Sequence, residues 1–150
     1  MPSWAEFEAA QPDFAARVRR LMEARKHLTM ATLRRDGSPR ISGTEIQFEG
    51  DDVRIGMMPG SRKLRDVLSD PRVAIHGPTA DPPDENRDWA GEAKIAGRAV
   101  EVPGDDAEHE GYGFRIDVAE VVFTHLNDAG DRLVIESWHP GRGVEVVERE

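Results

Sequence analysis

The sequence predicts a mainly β fold, an antiparallel barrel, closed or nearly closed, of about six to seven strands with a few helices. Three observations carry this reading. Short runs that alternate apolar and polar residues recur along the chain, each bounded by turn residues. Asp36-Gly37, Glu49-Gly50-Asp51-Asp52 and Asn127-Asp128-Ala129-Gly130 read as turns between antiparallel neighbours. Only two stretches, 3–25 and 61–69, carry helical spacing instead.

In chain order, residues 3–25 read as a leading helix interrupted by Pro12, with Ser3 as a cap. Phe14, Val18, Leu21 and Met22 share one face, so this is a packing helix over a sheet edge or barrel mouth. Residues 27–34 form a strand, the Asp36-Gly37 turn follows, and 40–48 return antiparallel. Gly43 marks a bulge, or a place where something approaches the backbone closely. Val53, Ile55 and Met57 alternate on the next strand, and the three strands make a meander. A short helix over 61–69 has Leu64, Val67 and Leu68 as its buried stripe, and Asp70-Pro71 stops it. Residues 72–76 are a strand. Residues 77–88, with Pro78, Pro82 and Pro83, are an exposed loop. Trp89 to Val102 is a long strand that Gly91 and Gly97 allow to curve. An acidic loop over 103–113 leads to a strand over 114–126 and another over 133–138. The tail adds a short edge strand through Val144, Val146 and Val147.

One domain, 1–150, accounts for the length. The net charge of −9 argues against general nucleic-acid binding, which needs a basic face. The absence of cysteine removes disulfides, thiolate catalysis and Cys-based metal sites, and suits a reducing compartment. No run is apolar for the length of a membrane span, and no basic N-terminal region precedes an apolar segment, so a cytoplasmic location is expected. The five histidines show no ligand spacing, so no metal is expected. Neither Gly-x-Ser-x-Gly nor a Walker phosphate loop occurs.

The stretch with chemistry is Met57-Met58-Pro59-Gly60-Ser61-Arg62-Lys63-Leu64-Arg65. Gly60 permits a tight turn and Ser61 is a good N-cap. Arg62, Lys63 and Arg65 then put three cations into a helix end that is already electropositive. Such an end is suited to an anion, above all a phosphate. The plain alternative is a solvated helix end with ordinary surface cations.

The order strand, Asp36-Gly37-Ser38-Pro39-Arg40, two strands, Gly60-Ser61-Arg62-Lys63, helix, Asp70-Pro71-Arg72-Val73-Ala74 resembles the FMN-binding split β-barrel superfamily, the pyridoxamine 5′-phosphate oxidase-like proteins. The resemblance covers residues 27–102 well and the remainder loosely. It implies a split barrel with a phosphate-binding helix after strand three. It implies that Arg62 and Lys63 hold a flavin phosphate, with Ser61 adding its hydroxyl or backbone N–H. It implies that Arg40, Ile41, Ser42, Gly43 and Thr44 lie along the flavin ring. Gly97-Arg98-Ala99 matches a family step that makes Glu92 the aligned polar position, where the oxidases carry an amide. It also implies a homodimer with the cofactor at the subunit interface.

The chain departs from pyridoxamine phosphate oxidases at its end, Glu136-Ser137-Trp138-His139-Pro140-Gly141-Arg142-Gly143, so vitamin B6 oxidation is not expected and the substrate stays open. Trp138 and His139 are candidate substrate-side residues; the alternative is a strand end with the Trp packed on the barrel. The resulting expectation is an FMN-dependent oxidoreductase acting on a small molecule by hydride transfer. Two other readings stand beside it: an F420-dependent reductase, and a non-catalytic FMN carrier or sensor.

Overall fold

A computed structural model describes residues 2–82, 88–104 and 111–150. Parts of the two expected loops, over 77–88 and 103–113, lie outside the described residues. The elements are α1 (Trp4–Ala10), α2 (Pro12–Met22), β1 (Leu28–Leu33), β2 (Pro39–Thr44), β3 (Ile46–Glu49), β4 (Asp52–Met57), α3 (Arg62–Ser69), β5 (Arg72–His76), β6 (Glu92–Val102), β7 (Tyr112–Leu126), β8 (Leu133–His139) and β9 (Gly143–Arg149).

The expected leading helix is two helices. Ser3 closes a capping box on α1: its Oγ accepts from Glu6 N, and Glu6 Oε2 accepts from Ser3 N. Pro12 stands at the first position of α2, where its missing N–H costs nothing.

The nine strands among the described residues join one antiparallel sheet whose main path runs β2-β1-β5-β6-β7-β4-β3. The expected meander is not continuous. Residues 40–48 divide into two strands at Glu45: β2 pairs with β1, and β3 pairs with β4 at the opposite end of the path. The two ends of the sheet are joined through the chain at Glu45 and not by a ladder, so the barrel is split. β7 is the spine: its start pairs with β4, its end with β8, and Gly113 to Thr124 with β6. Among the described residues β9 pairs only with β8, which makes the tail a full edge strand. The strand expected from Trp89 begins at Glu92.

The ladder of β6 and β7 shifts register between Ala96 and Gly97. A Cβ on Gly97 would overlap the carbonyl oxygen of Asp117, so only glycine lets β7 pass this close.

The core gathers the buried faces of the strands with α1, α2 and, through Leu64 and Val67, α3. Trp4, Phe7, Phe14 and Phe48 form an edge-on aromatic cluster there, and Trp138 joins it at a tilt, its ring centroid 4.7 Å from that of Phe7. On the other flank of α2, the Arg17 guanidinium lies over the Phe123 ring, 4.9 Å from its centroid. It also donates to both oxygens of Glu136, at 2.8 and 2.9 Å. His125 Nε2 lies 2.8 Å from the same carboxylate. The hydrogen bonds from Arg17, outweighing burial, hold the Glu136 carboxyl below its usual range. A carboxyl lowered in the folded state contributes stability above its unfolded value, about 4.3, and loses it as pH falls further. The melting-temperature gap between wild type and Glu136→Gln is therefore expected to be full near neutral pH and to shrink toward pH 3. A gap that stays constant with pH would sink this assignment.

Candidate functional site

The site is built where α3 begins. Gly60 adopts φ +77°, which turns the chain out of β4, and the Ser61 N–H donates to Met58 O at 3.2 Å. Ser61 Oγ accepts from Leu64 N at 3.3 Å and so caps α3. No acid stands in the first turn. Arg62 and Arg65 are exposed and make no ion pair with any described residue.

Lys63 turns the other way. Its Nζ donates to the carbonyl oxygen of Gly43 at 2.8 Å. Burial lowers the ammonium below the ordinary lysine value, and the charge of Glu45 pulls partly back. The helix start and the β2 strand, read from the sequence as two halves of one site, thus meet at Lys63 and Gly43. Between them lies a cavity of about 470 Å³, lined by His27, Gly43, Thr44, Glu45, Gln47, Gly56, Met57, Met58 and Lys63. It opens at the seam where β2 ends and β4 runs into α3.

The alternation of β2 sorts the remaining candidates. Pro39, Ile41 and Gly43 point outward, and Ile41 is 74% exposed. A Cβ on Gly43 would meet nothing within 4 Å, so the outer face beside it is open. Arg40, Ser42 and Thr44 point inward. Thr44 is buried, and its hydroxyl lies 3.4 Å from Glu45 O. Arg40 Nε donates to Asp66 Oδ2 at 2.7 Å, so this cation is engaged with α3.

Asp66 corrects the expected stripe of α3. Leu68 is 59% exposed, and the inward position belongs to Asp66, 6% exposed. Asp66 also accepts from Thr32 Oγ1 at 2.7 Å. Burial alone would raise its carboxyl, but the bonds from Arg40 and Thr32 outweigh it and hold the group below the usual range. Sequence reasoning did not single out Asp66, Thr32 or Gln47 as site residues. The available signal was a lone acid on a helix that opens with three cations.

The other candidates lie outside the cavity. Glu92 opens β6 and sits 3.4 Å from His76 Nε2, on the outer sheet face beyond β1 and β5. Trp138 is 6% exposed and packs on Phe7, so it fills the core and presents no ring face to a ligand. His139 Nε2 lies 2.8 Å from Glu120, and its Nδ1 is buried without a partner among the described residues. The described residues contain no group of three or more side chains able to hold a metal ion.

The family model described as pyridoxamine 5′-phosphate oxidase matches residues 14–137. The chain belongs to this family. As a member of the pyridoxamine 5′-phosphate oxidase family it shares its fold with solved structures of low identity. PhzG from Burkholderia lata 383, solved in complex with tetrahydrophenazine-1-carboxylic acid, superposes with TM-score 0.60 at 16% identity, over 97% of this chain and 89% of that one. A pyridoxamine 5′-phosphate oxidase-related, FMN-binding protein from Nostoc punctiforme PCC 73102 gives TM-score 0.60 at 12% identity, over 97% and 98%. An F420 reductase gives TM-score 0.51 at 17% identity, over 66% and 90%. No curated protein matches the sequence. No helix among the described residues is long and apolar enough to cross a membrane.

Proposed function

We propose that this chain is an FMN-dependent oxidoreductase that acts on a small molecule. The observation that carries the reading is the meeting of Lys63 with Gly43 on the wall of one cavity. It joins a capped, cation-rich helix start to a strand with an open outer face. A phosphate beside Ser61 would meet free backbone N–H groups, the positive end of α3 and the unpaired Arg62 and Arg65. The cavity falls within the range of roughly 300–1,000 Å³ common for small-ligand sites.

When bound, FMN would supply hydride chemistry at its ring. The chain's own residues would do the holding. Arg62 and Lys63 would grip the phosphate, Ser61 would offer its N–H or hydroxyl, and the Gly43 backbone would lie close to the ring. Outward from β2, Pro39, Leu33, Ala31 and Ala74 line an apolar groove of about 220 Å³ beside exposed Ile41. A second copy of this chain would cover it, and that supports a homodimer with the cofactor near the shared face. The related FMN-binding protein and F420 reductase support a flavin-type cofactor. The two unpaired arginines also suit the longer anionic tail of F420.

The test is the absorption spectrum and mass in solution of the purified protein, with the released cofactor identified by mass spectrometry. A yellow dimer that releases FMN, bleached by a reduced nicotinamide, is the expected result. A colourless protein that binds added F420 but not FMN overturns the choice of cofactor. Bound FMN that no donor reduces favours a carrier over an enzyme.

A further inference from the structure

We propose that Asp66 is the positioning residue of the phosphate clamp, and that Arg40 serves it as a counter-ion and not as a phosphate ligand. This rests on the reading that residues 61–65 hold a flavin phosphate.

Residues three and four apart share one face of a helix. Arg62, Lys63 and Asp66 therefore lie along one side of α3, and that side crosses β2. It is pinned there at two points. Lys63 bonds the Gly43 carbonyl at 2.8 Å, and Asp66 bonds Arg40 three residues earlier on the same strand, at 2.7 Å. Asp66 also reaches Thr32 on β1, which sits directly opposite Arg40 in the β1–β2 ladder. One carboxylate thus fastens the helix to two neighbouring strands at a single register position.

Stability alone does not explain such a group. A buried ion pair contributes little net stability, because desolvation offsets its attraction. An apolar residue would complete the stripe that Leu64 and Val67 begin. The carboxylate gives direction instead. It fixes the rotation and height of α3 over β2, and with them the direction in which the unpaired Arg62, one turn earlier, projects. It also occupies the one inward cation of β2, so that the anion's contacts come from the helix start. The apolar contacts of Leu64 and Val67 can slide; a carboxylate bonded to both Thr32 and Arg40 cannot.

The test compares FMN with riboflavin, which lacks the phosphate, by fluorescence titration of wild type, Asp66→Asn, Thr32→Val and Thr32→Ser. Wild type is expected to prefer FMN at least tenfold. Asp66→Asn keeps the shape but loses the charge, and its preference is expected to fall at least fivefold while riboflavin affinity stays within twofold. Thr32→Val is expected to shift the preference the same way, and Thr32→Ser to restore it. A side chain that only supported the fold would weaken both ligands together. If wild type prefers FMN and both Asp66→Asn and Thr32→Val keep that preference in full, the proposal is overturned and the clamp reading stands. If wild type shows no preference, the clamp reading falls first and the proposal with it. Should Asp66→Asn not fold, the two Thr32 variants decide alone.

Discussion

Gly97→Ala is expected to destabilise the protein more than any other single-methyl change. The added Cβ would overlap the backbone carbonyl of Asp117 and press within 3.2 Å of Ile116 Cγ2. A flexible side chain can move aside; a carbonyl inside the longest ladder of the sheet cannot. β6 and β7 pair along eleven residues of β6, and the register shift sits at this glycine. Overpacking of a core site costs about 1–3 kcal/mol, and a clash with the main chain belongs at the top of that range. For a domain of this size that is a drop of roughly 6–12 °C in melting temperature. Gly43→Ala is the internal control, because a Cβ there meets nothing within 4 Å and φ is not positive. A thermal melt of both variants reads the result. Equal melting temperatures would refute the close approach at Gly97.

Replacing Arg62 and Lys63 together by alanine is expected to weaken FMN binding by about a hundredfold or more. Hydrogen bonds between charged partners are worth about 1.5–3 kcal/mol each, which is tenfold or more per residue. The two residues act differently. Arg62 is exposed and pairs with nothing described, so Arg62→Ala should leave the melt of the unliganded protein unchanged. Lys63 also tethers α3 to β2 through the Gly43 carbonyl, so Lys63→Ala removes a contact of the unliganded fold as well. Riboflavin affinity should change little in Arg62→Ala. A double variant that keeps wild-type affinity for FMN would remove the phosphate from this helix.

The helix start at Ser61 was legible because its signals are local: a glycine in a positive-φ turn, a capping hydroxyl and adjacent cations. Most strands were legible for the same reason, since Val53, Ile55 and Met57 declare their buried face by alternation alone. The break at Glu45 was not legible. Alternation runs on from β2 into β3, and no turn residue marks the place where the chain changes sheet end. Asp66 was not legible either. Its partners Thr32 and Arg40 lie 34 and 26 residues away, so hydrophobicity pointed to Leu68 for an inward place that a carboxylate holds. Trp138 read as apolar and aromatic, but which side of β8 it served depended on Phe7, 131 residues upstream, which its ring meets at 4.7 Å. The cavity wall was half hidden for a related reason, because Gln47 and Gly56 arrive from the far end of the sheet path.

Glu45 has a further consequence, for how the barrel comes together. β2 and β3 are the most distant strands along the hydrogen-bonded path, yet one residue separates them in the chain. Chain entropy penalises bringing remote segments together, and the penalty grows with the length of the intervening loop. Here the final closure spans almost no loop at all. Once the β1–β2 and β3–β4 hairpins exist, each holds one rim of the sheet, and residue 45 keeps the rims within reach of each other throughout folding. The long-range work falls instead on β7, which pairs readily with β6 just before it but must find β4 from far along the chain. The seam beside the cavity is thus held by a single residue of chain and carries no ladder between β2 and β3 that would have to break for it to open.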